Sequence, residues 1–225
     1  MTGRLVVVSG TGTGIGKTHF AEALLLALRA LDARVAGLKP IETGLGEGGV
    51  SDAQRLDRAS TFHVKQTGYT FAEPVSPHLA ARREGRPIEV DVIVRMVDAV
   101  RRETDLTLVE LPGGLFSPLG DDFLNANVAL ALQADNVLLV APDRLGVLHE
   151  VIASTRAATS VPLRLDGLVL ATPAAPDGST GDNAAELGRL CEVPVRAVIP
   201  RAPVQALASH PALRALAESL GRRLS

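Results

Sequence analysis

Leu5-Val-Val-Val8 is short, β-branched and halted by Ser9-Gly10, while Lys17 to Leu31 is rich in Ala and Leu. The first reads as a buried strand and the second as a helix. They are joined by Ser9-Gly-Thr-Gly-Thr-Gly-Ile-Gly-Lys-Thr18. Glycines in such a connection let backbone N–H groups turn inward around an anion. The following helix aims its positive end at the same point, and Lys17 adds a full charge. The Thr18 hydroxyl suits a Mg²⁺ bridging phosphates. This is the mechanism of a phosphate-binding P-loop, although the usual Gly-x4-Gly-Lys-[Ser/Thr] spacing is stretched, with five residues between Gly10 and Gly16.

The rest of the chain repeats the alternation of short apolar runs and amphipathic stretches. Strands are predicted at 35–38, 106–109, 137–141, 168–171 and 195–199. Helices are predicted at 52–60, 87–103, 122–133, 145–158, 183–190 and 211–222, with Ile93, Met96, Val97 and Val100 on one face of the second of these. Gly44 to Gly49 and Thr172 to Gly181 read as loops by composition. Continuously apolar strands separated by helices predict an α/β fold, an open parallel sheet covered on both faces. Ligands of such sheets bind at the carboxyl ends of strands. Four of those ends are unusual: Gly10–Thr18, Lys39–Thr43, Glu110–Gly114 and Pro142–Gly146.

Other classes of function are excluded by composition. Twenty-three Lys plus Arg against 25 Asp plus Glu, with six aromatic residues, offer neither a basic surface nor a stacking platform for nucleic acid. The five histidines show no i, i+3 or i+4 pairing, and Cys191 is the single cysteine, so no His- or Cys-built metal centre is expected. Cys191 reads as a small packed hydrophobe, and His78 and His149 as hydrogen-bonded structural residues. No apolar run approaches the roughly 18 residues of a membrane span, and Met1 to Ser9 lacks the features of an export signal. With no linker-like tract in 225 residues, the expectation is one soluble, cytoplasmic domain.

Two rival glycine codes compete with this reading. Gly-x-Gly-x-x-Gly fails, because the third glycine would fall on Ile15 or Lys17. Gly-x-x-x-Gly-Ile-Gly fits Gly10 to Gly16, but the Tyr-x-x-x-Lys pair that its reductase chemistry needs is absent. The single tyrosine, Tyr69, is followed four residues later by Glu73.

Gly10-Thr-Gly-Thr-Gly-Ile-Gly-Lys-Thr18 resembles the P-loop of the dethiobiotin synthetases, which carries the same extra residue. Further matches follow in order: Lys39-Pro-Ile-Glu-Thr-Gly44, Ser51-Asp52, Tyr69-Thr-Phe-Ala-Glu-Pro-Val-Ser-Pro-His78, Glu110 to Gly114, and Arg144-Leu-Gly146. The resemblance implies a P-loop ligase that uses ATP, Mg²⁺ and CO₂ to close the cyclic urea of dethiobiotin on 7,8-diaminononanoate. It implies Gly14, Ile15, Gly16, Lys17, Thr18 and His19 as the nucleotide cradle, and Lys39 as the active-site lysine. Lys17 would lie on the phosphates, and Thr13 and Thr43 would face substrate. Thr18, Asp52 and Glu110 would hold Mg²⁺. Without the family, Asp52 reads as a helix N-cap and Lys39 as a solvated lysine before Pro40.

The chain departs from the family at two places. Glu110-Leu-Pro-Gly-Gly114 replaces Glu-Gly-Ala-Gly-Gly, and Pro112 removes an N–H near Gly113. Where relatives read adenine with an asparagine amide, this chain has Thr172-Pro173, so loose base discrimination is expected, aided by backbone around Pro200, Arg201 and Ala202. Leu145 and Gly146 match the corner that reaches the neighbouring subunit's substrate, which implies a homodimer. The competing reading is a nucleotide-switched ATPase of the partition and cell-division type. Those proteins carry a second lysine six residues before the P-loop lysine, a position held here by Thr11. An amphipathic membrane role for the last helix, with Leu213, Leu216, Ala217, Leu220 and Leu224 roughly on one face, is outweighed by packing on the sheet.

Overall fold

The structure, a computed structural model, describes residues 2–45, 50–64 and 68–221. The chain runs β1 (Arg4–Gly10), α1 (Lys17–Arg29), β2 (Val35–Leu38), β3 (Ile41–Thr43), α2 (Asp52–Ala59), β4 (Tyr69–Phe71), α3 (Pro77–Arg83), α4 (Val90–Arg101) and β5 (Leu106–Glu110). It continues through α5 (Asn125–Ala131), β6 (Asn136–Pro142), α6 (Val147–Thr159), β7 (Gly167–Ala171), α7 (Asn183–Leu190), β8 (Val195–Ile199), α8 (Val204–Ala208) and α9 (Pro211–Gly221).

The main sheet has strand order β2-β5-β1-β6-β7-β8, and every pairing in it is parallel. Successive side chains of a strand point to opposite faces, and both faces of this sheet are buried. Leu5 and Val7 of β1 join a core covered by α3 to α7. Val6 and Val8 join the opposite core under α1, α2, α8 and α9. Each fully buried Val or Leu contributes on the order of 1.5–3 kcal/mol, so burial on both sides fixes the register of β1 firmly. Val8 lies opposite Glu110 on one side and Leu138 on the other, which sets the P-loop directly above the end of β5. The chain leaves β1 toward β2 but leaves β6 toward β7, so the order reverses beside the P-loop, where open α/β sheets bind their ligands.

The predicted strands are all present, most of them longer by a residue or two at an end, and β5 includes Glu110 itself. Several helices are shorter than expected. Helix α4 starts at Val90 rather than 87, because Glu89 is extended at its N-cap. Helix α5 starts at Asn125 rather than 122, after a turn in which Leu119 and Gly120 donate to the carbonyl of Phe123. Helix α6 starts at Val147, with Gly146 as its N-cap and Leu145 outside it. Part of the predicted 44–49 loop, and the last predicted residue of the final helix, lie outside the described residues. Four short elements were not predicted: β3 and β4, which pair in parallel as a small separate sheet, together with α3 and α8. Leu213, Leu216, Ala217 and Leu220 of α9 are buried against the sheet; Leu224 lies outside the described residues. Among the described residues no helix is long and apolar enough to cross a membrane.

Candidate active site

The P-loop closes on itself. A Cβ at Gly10 would stand 2.5 Å from Ile15 Cδ1, 3.0 Å from Lys17 Cδ and 3.1 Å from the Val140 carbonyl oxygen, so glycine gives the loop room to fold back over the end of β1. Lys17, almost fully buried, arches across the loop and donates to the carbonyl of Gly12 at 2.6 Å. Its pKa is lowered to about 8, by burial first. Glu110 pulls against that shift, and the neighbouring charge of Lys39 adds to it. Thr18 donates its hydroxyl to Glu110 Oε1 at 2.9 Å.

Lys39, at the end of β2, points into the same place. Its ammonium lies 2.7 Å from Glu110 Oε1 and 2.6 Å from Asp52 Oδ2. Burial works against that charge, but Glu110 and Asp52 together outweigh it and raise the lysine's pKa. Asp52 is likewise penalised by burial, and the hydrogen bond and charge of Lys39 hold its carboxyl below the usual range. Lys39 is thus not a solvated lysine at a turn; its side chain is 9% exposed.

Asp52 is delivered by two features of the local sequence. Ser51, not Asp52, is the N-cap of α2, in a reciprocal capping box with Gln54. Glu42 of β3 then accepts from the backbone N–H groups of Asp52 (2.6 Å) and Ala53 (3.3 Å), a carboxylate at the positive end of the helix. Glu110, Lys39, Asp52 and Thr18 therefore meet from four different elements.

The loop after β5 is pinned from below. Asn125, fully buried, donates to the carbonyls of Pro112 and Gly114. Gly113 has φ +61°, and a Cβ there would come 2.7 Å from Ser117 Oγ and 3.6 Å from Thr13 Oγ1, so this loop and the P-loop face each other. Between them opens a cleft of about 650 Å³, lined by Thr13, Gly14, Gly16, Lys17, Thr18, His19, Lys39, Thr43, Asp52, Glu110 and Gly113. A second cleft, of about 730 Å³, is lined by Gly14, Ile15, Gly16, His19, Thr172, Pro173, Pro200, Arg201 and Ala202. His19 joins its walls, its Nε2 lying 2.8 Å from the carbonyl oxygen of Ala202. Both clefts are of ligand-binding size, and between them they gather every predicted site residue except Leu145 and Gly146.

Leu145 and Gly146 line neither cleft. Leu145 is 76% exposed, and its N–H donates to Asp177 Oδ2 at 2.8 Å. Elsewhere, His149 is exposed and makes no side-chain hydrogen bond among the described residues, and buried His78 Nδ1 has no partner among them, contrary to expectation. Cys191 packs against the core, and burial raises its thiol pKa, as a packed hydrophobe requires. Sequence reasoning missed Glu42, Arg55, Ser117 and Asn125. The Ser51-x-x-Gln54 capping signature was available as a signal for the start of α2; the other contacts join residues distant in sequence.

For a divalent cation, Thr18, Asp52 and Glu110 supply hard oxygen donors in one corner. Glu110 Oε2 is buried with no hydrogen-bond partner among the described residues, which fits a metal-ligating oxygen.

A family model described as an AAA domain matches residues 4–208. The chain is 37% identical to the ATP-dependent dethiobiotin synthetase BioD of Ralstonia nicotianae, over 87% of this chain and 88% of that relative. It is 36% identical to the ATP-dependent dethiobiotin synthetase BioD 1 of Escherichia coli, over 86% and 88%. Among solved structures it is similar to the cell division ATPase MinD of Pyrococcus furiosus, with a TM-score of 0.61 and 22% identity over 98% of this chain and 99% of that one; this likeness concerns the fold.

Proposed function

The chain belongs to the ATP-dependent dethiobiotin synthetase family, and from that premise we propose that it closes the cyclic urea of dethiobiotin from 7,8-diaminononanoate, CO₂ and ATP. The observation that carries this reading is the convergence of Lys17, Lys39, Thr18, Asp52 and Glu110 at the floor of one cleft that continues into a second.

The reaction must join two anions. One substrate amine adds to CO₂, loses a proton and becomes a carbamate. A carbamate oxygen attacks the γ-phosphorus, and the bond to the ADP oxygen breaks. The second amine attacks the carbamoyl carbon of the mixed anhydride, phosphate leaves, and the ring closes with loss of a proton. The protein's task is to concentrate positive charge and donors where charge gathers. The P-loop amides of Gly14 to Thr18 and the Lys17 ammonium take the phosphates. Lys39 stands at the border between phosphate and substrate, where its ammonium serves the carbamate and γ-phosphate oxygens. Thr13 and Thr43 offer hydroxyls on the substrate side, and Gly113 keeps the opposing wall close. Thr18, Asp52 and Glu110 would hold Mg²⁺, which when bound supplies charge neutralisation on the phosphates.

The second cleft takes the base, bordered by Thr172, Pro173, Pro200, Arg201 and Ala202. Leu145 and Gly146, outside the chain's own clefts, would complete the site of a second subunit in a homodimer. We read each chain as one domain and assign the reaction to the cytoplasm. Labelled bicarbonate tests the reading: label should enter an acid-stable product only with both ATP and 7,8-diaminononanoate. ATP turnover without label incorporation would contradict it.

A further inference from the structure

Arg55 stands where the two clefts meet. It lines both, together with Gly14, Gly16 and His19 of the P-loop segment. A nucleotide with its phosphates on the P-loop and its base in the second cleft has to cross this seam. Its guanidinium is held in orientation: Glu22 Oε2 on α1 accepts from Nε at 3.1 Å and from Nη2 at 2.7 Å. The remaining contact, Nη1 to Asp52 Oδ1, is long at 3.5 Å and therefore weak. The fork thus keeps donors unspent, and the side chain is 34% exposed. A planar, fixed guanidinium is the group best matched to phosphate oxygens. The chain also needs such a contact, because Thr172-Pro173 offers no side-chain amide to a base and Pro112 has no N–H to give.

We propose that Arg55 is a further nucleotide-binding residue, contacting the phosphate chain as it crosses from the P-loop to the base cleft, with Glu22 as its positioning residue. The inference rests on the nucleotide reading above. It assigns no role in the transfer itself.

Calorimetric titration with ATP, ADP and adenosine in EDTA tests it, on wild type, Arg55→Ala, Arg55→Lys and Glu22→Gln. EDTA matters because an effect relayed through Asp52 to a metal disappears there, whereas a direct contact persists. Arg55→Ala should weaken ATP and ADP roughly tenfold, the scale of one charge-assisted contact, and leave adenosine unchanged. Arg55→Lys, which keeps the charge and loses the fork, should fall between Arg55→Ala and wild type, and Glu22→Gln should give a smaller loss of the same sign. Wild-type affinity for ATP in Arg55→Ala, or an equal loss for adenosine, would overturn the proposal. A wild-type protein that binds neither ATP nor ADP would overturn the nucleotide reading, and this inference with it.

Discussion

Lys39 Nζ lies 2.7 Å from Glu110 Oε1 and also bridges to Asp52, so one ammonium joins the two carboxylates assigned to a divalent cation. Glu110 is fully buried, and without Lys39 its remaining partner among the described residues is the Thr18 hydroxyl. Removing one member of a buried pair costs about 3–5 kcal/mol. Lys39→Met should therefore unfold at lower urea or temperature. Mg²⁺ without nucleotide should raise the melting temperature of the variant more than that of wild type, because a divalent cation takes the place left by the ammonium. Equal Mg²⁺ shifts in the two proteins would contradict this.

The pKa of Lys17 gives a pH dependence with a definite sign. Burial lowers it from 10.5 to about 8, so between those values the unfolded chain binds more protons than the folded one. The destabilisation from burying Lys17 is complete below about pH 8 and is relieved as pH rises toward 10.5. Bound phosphate favours the ammonium, so ATP affinity should be level up to about pH 8 and fall above it. Calorimetry at pH 9 in buffers of different ionisation enthalpy should detect proton uptake on binding in wild type and none in Lys17→Met.

Thr172 and Pro173 do line the second cleft, where no asparagine amide is presented at that strand end. Competition among ATP, GTP and CTP should accordingly give affinities within about tenfold of one another, since strong rejection comes from buried polar groups left unpaired by the wrong base. A preference above about a hundredfold would show that backbone groups around Pro200 to Ala202 read the base unaided.

Asn125 holds the Pro112 and Gly114 carbonyls from beneath. Asn125→Ala leaves those buried carbonyls short of a donor, at a cost of about 1–3 kcal/mol. The loop facing Thr13 then loosens. Turnover should fall while ADP affinity stays at the wild-type value; an ADP affinity lost in parallel would mean that Asn125 supports the P-loop itself.

The strands and the phosphate loop were legible because β-branched runs and Gly-Lys-Thr are local signals, and 35–38 and 195–199 fall on β2 and β8 residue for residue. The three-residue strands β3 and β4 and the five-residue α8 are too short for periodicity to reveal. The location of Lys39 and Glu110 at strand ends was readable, but their salt bridge was not, because it joins residues 71 positions apart. The clamp of Glu42 on α2 and the seat of Arg55 against Glu22 depend likewise on how β3, α1 and α2 pack. Leu145 and Gly146 line neither cleft of their own chain.

In the proposed reaction, the cleft couples ATP cleavage to ring closure through Lys39. Phosphate release should be measured with ATP and bicarbonate, with and without 7,8-diaminononanoate, for wild type and Lys39→Ala. Diamine-dependent release with dethiobiotin formed is expected of the wild type, with loss of both in the variant. Phosphate release indifferent to the diamine would contradict it and redirect attention to the Glu110–Gly114 loop.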